Sequence, residues 1–184
     1  MQKKTSHLFL ILLASLACLI LPSCSMNKGP SGQNGLQAYI DANLLFTISY
    51  PERWAPFLAA TDSGPYSPYS VGWEVREDGL NNDVSLRVIS IPKHEIIPGI
   101  EPTRILLDLY PNLTLVSQEE VPLPAGPANK LHGYTPHKTL QSWVITGGQR
   151  LYLLIFTSPP EYFASQAELF QQIVLSFEFV NRTP

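Results

Sequence analysis

The stretch "GQRLYLLIFTSPPEYFASQAELFQQIVLSFEF", Gly148 to Phe179, decides the fold. Gly147-Gly148 is a hairpin signal between two β-rich runs. Leu151 to Phe156 is apolar without a break, which predicts a central strand covered on both faces. The signals then change. Ser158 and Glu161 have capping-box spacing, and Pro159 suits the first position of a helix. Ser165 with Glu168 offers a second start. Phe163, Ala167, Phe170 and Val174 recur at helical spacing and predict one apolar stripe facing a core.

Upstream, period-two patterns dominate. "LLFTISYPERW" alternates at Phe46, Ile48 and Tyr50 and reads as a strand. Pro51, which has no N–H for a ladder, ends it, and Trp54 follows as a core plug. "VGWEVRE" sets Val71, Trp73 and Val75 against Gly72, Glu74 and Arg76. "DVSLRVISIP" sets Val84, Leu86, Val88 and Ser90 against Ser85, Arg87, Ile89 and Ile91, with "DGLNN" between the two runs as a hairpin loop. "GIEPTRILLDLYPN" predicts a helix that starts near Pro102, carries Glu101 at its positive end and stops at Pro111. "TLVSQEEVPL", "ANKLHGYTP" and the "LQSWVITG" run complete the strands. Strands joined by short turns, one short helix within the run and a long helix at the end predict an α+β domain with a central antiparallel sheet.

The start of the chain speaks to location. Lys3 and Lys4 precede an apolar run from Leu8 to Leu21, shorter than the roughly 20 residues a spanning helix needs. This is the layout of a secretory signal peptide. Its end, "LPSC", places Leu21 three residues before Cys24 and Ser23 directly before it. The tetrad resembles the lipobox of bacterial lipoproteins. That resemblance implies cleavage before Cys24, lipid on its thiol and an acylated new amino group. Residues 1–23 are then a lipoprotein signal peptide, residues 24–35 a Gly/Ser/Asn/Pro-rich tether, residues 36–180 the folded domain and residues 181–184 a tail. The expected location is a membrane facing the periplasm or the thylakoid lumen.

The full chain of 184 residues has a formal charge of −3. Losing Lys3 and Lys4 with the signal peptide makes it about −5. With no basic cluster, nucleic acid is excluded as a partner, and adhesion to anionic lipid by charge is disfavoured. Membrane attachment falls to Cys24. Cys18 lies in the apolar run, so the mature domain has no disulfide. About 160 residues suffice for one good core without one.

Both ends of the domain carry a resemblance. "GLQAYIDANLLFTISYPERW", with Tyr50, Pro51 and Trp54, resembles the opening of PsbP-family domains. The closing stretch, through Pro159, Phe163, Leu169, Phe170, Ile173, Ser176 and Phe177, resembles that family's ending. Together they cover about a third of the mature domain. The likeness is to cyanobacterial-type PsbP lipoproteins; DcrB-like lipoproteins share the fold. It implies an antiparallel sheet with helices on both faces, a PsbP-like α/β/α sandwich. It also implies a non-enzymatic accessory or assembly factor, which in a phototroph binds photosystem II on its lumenal side. "GWEVREDGLNN" and "SIPKHEIIPGIEP" depart from the family's pattern.

Candidate chemistry is sparse. His132 and His137 stand five apart across a turn at Thr135-Pro136, and a zinc or calcium ion would need further ligands beside them. No cofactor is expected. His94 beside Glu95 reads as a solvated pair. Glu119 and Glu120, adjacent on a strand, point to opposite faces and cannot cooperate as acid and base. "ITGGQR" joins two strands and lacks the phosphate-loop pattern, and no serine sits in GxSxG. No nucleophile–base–stabiliser set emerges, so the chain is read as not an enzyme. Two roles stay open: an accessory protein that binds a membrane protein complex, and an exported binding module for a small ligand or metal. For the first, the aromatic loop "SGPYSPYSVGW" offers Tyr66 and Tyr69 as contacts, or as cover for the sheet edge.

Overall fold

Alternating apolar residues build most of this molecule, seen in a computed structural model that describes residues 35–57, 69–75 and 84–180. The expected signal peptide and tether, Cys24, Tyr66, the "DGLNN" stretch expected as a hairpin loop, and the expected tail lie outside the described residues. The chain forms β1 (Leu36–Asp41), β2 (Phe46–Pro51), β3 (Trp54–Phe57), β4 (Ser70–Val75) and β5 (Ser85–Pro92). A 3-10 turn (Lys93–Glu95) and helix α1 (Pro102–Leu109) follow, then β6 (Thr114–Leu123), β7 (Gly126–Tyr134), β8 (Thr139–Gly147) and β9 (Arg150–Ser158). Helix α2 (Pro160–Leu175) and the short β10 (Glu178–Phe179) close it. The architecture is α+β. No helix among the described residues is long and apolar enough to cross a membrane.

The strands form two sheets where the sequence predicts one. The larger runs β3-β4-β5-β9-β8-β7-β6, antiparallel throughout. Its centre is β9, buried from Leu151 to Ser158, as an uninterrupted apolar strand requires. The smaller sheet runs β1-β2-β10. Phe179 pairs with Phe46 across most of the chain, a partnership that no local pattern could announce. Ser49 N–H donates to Ser176 Oγ (2.8 Å), which ties the end of α2 to the same sheet.

The core divides by the parity of β9. Tyr152, Leu154 and Phe156 join one cluster with Trp54, Trp73, Phe46, Ile48 and the α2 residues Phe170, Ile173 and Val174. Leu151, Leu153 and Ile155 join a second with Ile89, Ile91 and the α1 residues Ile105 and Leu106. The strand period of two makes the two sets point oppositely.

The start of α2 departs from expectation. Its N-cap is Pro159, extended at φ −54°, ψ 144°, with no side-chain capping bond. Pro160 forces this, because a residue before proline is driven out of the helical region. Ser158 therefore stays in β9 and its Oγ donates to Pro159 O (3.1 Å), so no capping box forms with Glu161. Ser165 lies within the helix and donates to Tyr162 O (2.7 Å). The buried stripe is Phe170, Ile173 and Val174; Phe163 is half-buried and Ala167 is exposed. Helix α1 follows expectation, with Pro102 in its first turn and an end at Leu109, before Tyr110-Pro111.

Candidate functional site

Pro92 ends β5 because it lacks an N–H, and the chain turns through Lys93–Glu95. Lys93 N–H donates to Gln149 O (2.8 Å), which holds this turn beside the β8–β9 hairpin. There the Tyr69 hydroxyl donates to Glu95 Oε1 (3.0 Å), with His94 Nε2 at 3.7 Å from the same carboxylate oxygen. The hydrogen bond to Glu95, and then its negative charge, push the Tyr69 phenol above its ordinary value. Tyr69, expected as a partner contact, thus stands at the surface on one end of the large sheet.

Arg150 heads β9 at this same end. Its Nε donates to Ser90 Oγ (2.6 Å) and its Nη2 to Ser90 O (3.1 Å). Ser90 Oγ donates in turn to Leu44 O (3.2 Å), and the Tyr152 hydroxyl reaches Leu44 O (3.0 Å) and Leu45 O (3.2 Å). Burial pushes the Tyr152 phenol up, against the pull of Ser90 and Arg150. The acceptors sit on the β1–β2 turn, built on Asp41. Asp41 Oδ1 accepts from Asn43 N (3.0 Å) and Leu44 N (2.9 Å), an Asx turn. Leu45 takes φ 62°, uncommon for a side chain of its size. Val180 N–H donates to Leu45 O (3.0 Å). A cavity of about 240 Å³ opens between these parts, lined by Leu45, Gly147, Gly148, Arg150, Tyr152 and Phe179 among others. A broader cleft of about 520 Å³ lies where the described chain begins, against Gly35, Leu36, Glu52, Arg53 and Leu169.

The other sequence candidates do not converge. His132, half-buried on β7, packs its ring 5.4 Å from that of Phe163. His137 is exposed on the turn closed by Thr135 N–H to Lys138 O (2.8 Å). No group of three or more His, Cys, Asp or Glu among the described residues could hold a metal ion. Glu119 pairs with Lys130 (2.9 Å), while Glu120 is exposed. Sequence reasoning passed over Arg150 and Tyr152 as site residues. Two signals were available: a charge at the head of an otherwise apolar strand, and a serine in the apolar phase of β5.

No family model and no curated protein sequence matches the chain. Solved structures do. The solution structure of cyanobacterial PsbP (CyanoP) from Synechocystis sp. PCC 6803 is 18% identical, with a TM-score of 0.61 over 86% of this chain and 98% of that one. LpqN of Mycobacterium tuberculosis, described as involved in cell envelope biogenesis, is 15% identical, with a TM-score of 0.48 over 83% and 100%. The Saccharomyces cerevisiae Ran-binding protein Mog1p is 13% identical, with a TM-score of 0.46 over 79% and 96%. Only the first is near enough in shape to argue from, and by it the chain is PsbP-like in fold.

Proposed function

We propose that this protein is an exported, lipid-anchored accessory or assembly factor that binds a membrane protein complex and has no turnover of its own. In a phototroph that complex would be photosystem II. The observation that carries this reading is the fold, whose likeness to cyanobacterial PsbP spans nearly the whole of that chain. Two further features support it. The Leu21–Cys24 tetrad resembles a lipid attachment point, and the Gly/Ser/Asn/Pro-rich segment of about a dozen residues after it would keep a lipid-anchored domain near the bilayer, so that a weak interface suffices. In this reading α1 and α2 cover opposite faces of the large sheet, since each shares a cluster with one parity of β9. The contact surface in this reading is the end of the sheet that carries Tyr69, with Tyr66 three residues before it in the sequence.

The test is crosslinking in native membranes, followed by identification of the attached protein. The Tyr66→Ala, Tyr69→Ala double variant should lose that product at unchanged thermal stability. Tyr69→Phe, which keeps the ring and loses the bond to Glu95, should retain it. Undiminished crosslinking of the double variant would remove this surface from the interface. Anchoring is tested separately: Cys24→Ser should abolish metabolic labelling with palmitate and leave precursor or released domain.

A further inference from the structure

Among the described residues, Arg150 is a cation placed without an acid. A guanidinium has five N–H donors in a rigid fork, and here only Nε and one Nη2 bond are spent, both on the neutral Ser90. Among the described residues no carboxylate pairs with it; Glu95 instead takes the Tyr69 hydroxyl, and the ion pairs fall on other residues. A half-buried charge satisfied only by neutral groups is under-compensated, and a carboxylate that accepts the remaining donors forms a shorter, stronger, charge-assisted pair. The fork is also held in place. Ser90 is itself tied to Leu44 O, so little orientational freedom remains to be lost on binding.

The cavity beside Arg150 sets the rest of the ligand. Tyr152, Phe179, Leu45 and Val180 line it with Gln149 and the hairpin glycines Gly147 and Gly148, so its lining is mostly but not wholly apolar. Phe179 lies over Gly147 so closely that a Cβ there would stand 2.8 Å from Cδ1 and nearer still to Cε1 and Cζ, which closes that side. The volume of about 240 Å³ is below the roughly 300–1,000 Å³ of usual ligand pockets, and equals about eight waters at ~30 Å³ each. One cation against a mostly apolar lining suits a single negative charge on a short apolar tail better than a phosphate dianion, which calls for more charged donors.

We infer that this cavity binds a small monocarboxylate, its carboxylate on the Arg150 fork and its short apolar tail against Tyr152 and Phe179. The inference is independent of lipid anchoring and of the protein partner. The same chemistry has two sources: a free short-chain acid, and the carboxyl terminus of a polypeptide.

The experiment uses the full chain purified in detergent, titrated with hexanoate and, as an uncharged isostere, with hexanamide. Hydrogen exchange read by mass spectrometry locates the response, and calorimetry gives the affinity. Hexanoate should slow exchange in the peptides spanning Gly147–Tyr152 and Phe177–Val180, and hexanamide at equal concentration should not. Arg150→Gln should weaken hexanoate about tenfold or more, as the loss of a charge-assisted pair implies. Should Arg150→Gln fail to fold, the comparison of acid with amide on the native protein decides alone. Equal response to acid and amide, protection elsewhere, or no saturable response to hexanoate would overturn the proposal. Acetyl-alanyl-leucine, added in a second arm, should bind more tightly than hexanoate if a polypeptide terminus is the source, and less tightly if a free acid is.

Discussion

Gly147→Ala asks whether the packing between the C-terminal strand and the β8–β9 hairpin is rigid. Gly147 does not have positive φ, so alanine can take its backbone conformation. Replacing glycine then narrows the unfolded ensemble and, with no clash, stabilises by about 0.4–1 kcal/mol. The clash opposes this. The new Cβ would lie 2.8 Å from Phe179 Cδ1 and closer to two further ring atoms. Phe179 is hemmed on two sides, its ring 5.5 Å from Tyr152 and 5.6 Å from Phe177, both buried, and yielding toward the cavity it lines would give up those ring contacts. Overpacking of this kind costs about 1–3 kcal/mol. The net loss should be about 1–2 kcal/mol, or roughly 2–8 °C in melting temperature for a domain of this size. Urea unfolding followed by the fluorescence of the buried tryptophans measures it. In a Phe179→Ala background the clash is gone, and Gly147→Ala should become stabilising by about 0.4–1 kcal/mol. The double variant should then be more stable than the sum of the single changes predicts, by about 1–3 kcal/mol. A neutral or stabilising Gly147→Ala in the native background, or a cycle that adds without coupling, would refute the reasoning.

Three further outcomes are expected. Phe170→Ala should cost about 3–5 kcal/mol, since the ring is fully buried at 4.5 Å from that of Phe156, and a substitution at exposed Ala167 should cost little; unfolding midpoints of both decide it. A fragment spanning residues 35–180 should fold alone and keep its melting temperature in excess chelator, because one core of this size needs neither lipid nor metal. Tyr39 is raised well above the ordinary tyrosine value, first by burial and then by the charge of Asp41 and the hydrogen bond to it. A raised folded value means that its stabilising contribution is whole below the unfolded value of 10.0 and is lost as pH climbs toward the folded one. Absorbance titration at high pH should therefore show a late tyrosine that is missing in Tyr39→Phe, and that variant should lose less stability above pH ~10.

What the sequence by itself determined is what short range decides. Phe46, Ile48 and Tyr50 alternate because the strand period is two, and all three are buried. The limits of β6, the bounds of α1 between Pro102 and Leu109, and the central place of β9 were legible because proline and uninterrupted apolar runs act locally. The start of α2 lies one residue later than the sequence reading places it, although the cause is local too: Pro160 excludes Pro159 from the helix and so leaves Ser158 in the strand. Tertiary structure alone decided the rest. The second sheet exists because β10 pairs with β2 across most of the chain, and pairing partners so distant leave no periodic trace. The site arises in the same way. The β5–β9 ladder sets Ser90 opposite Tyr152 and Pro92 opposite Arg150, and thereby brings the Arg150 guanidinium onto Ser90, two positions from its own partner. The β1–β2 turn, the hairpin at Gly147-Gly148 and the end of β10 then meet around it. An arginine at the head of a strand is ordinary in a sequence; register and the packing of three distant segments make it a cation lining a mostly apolar cavity.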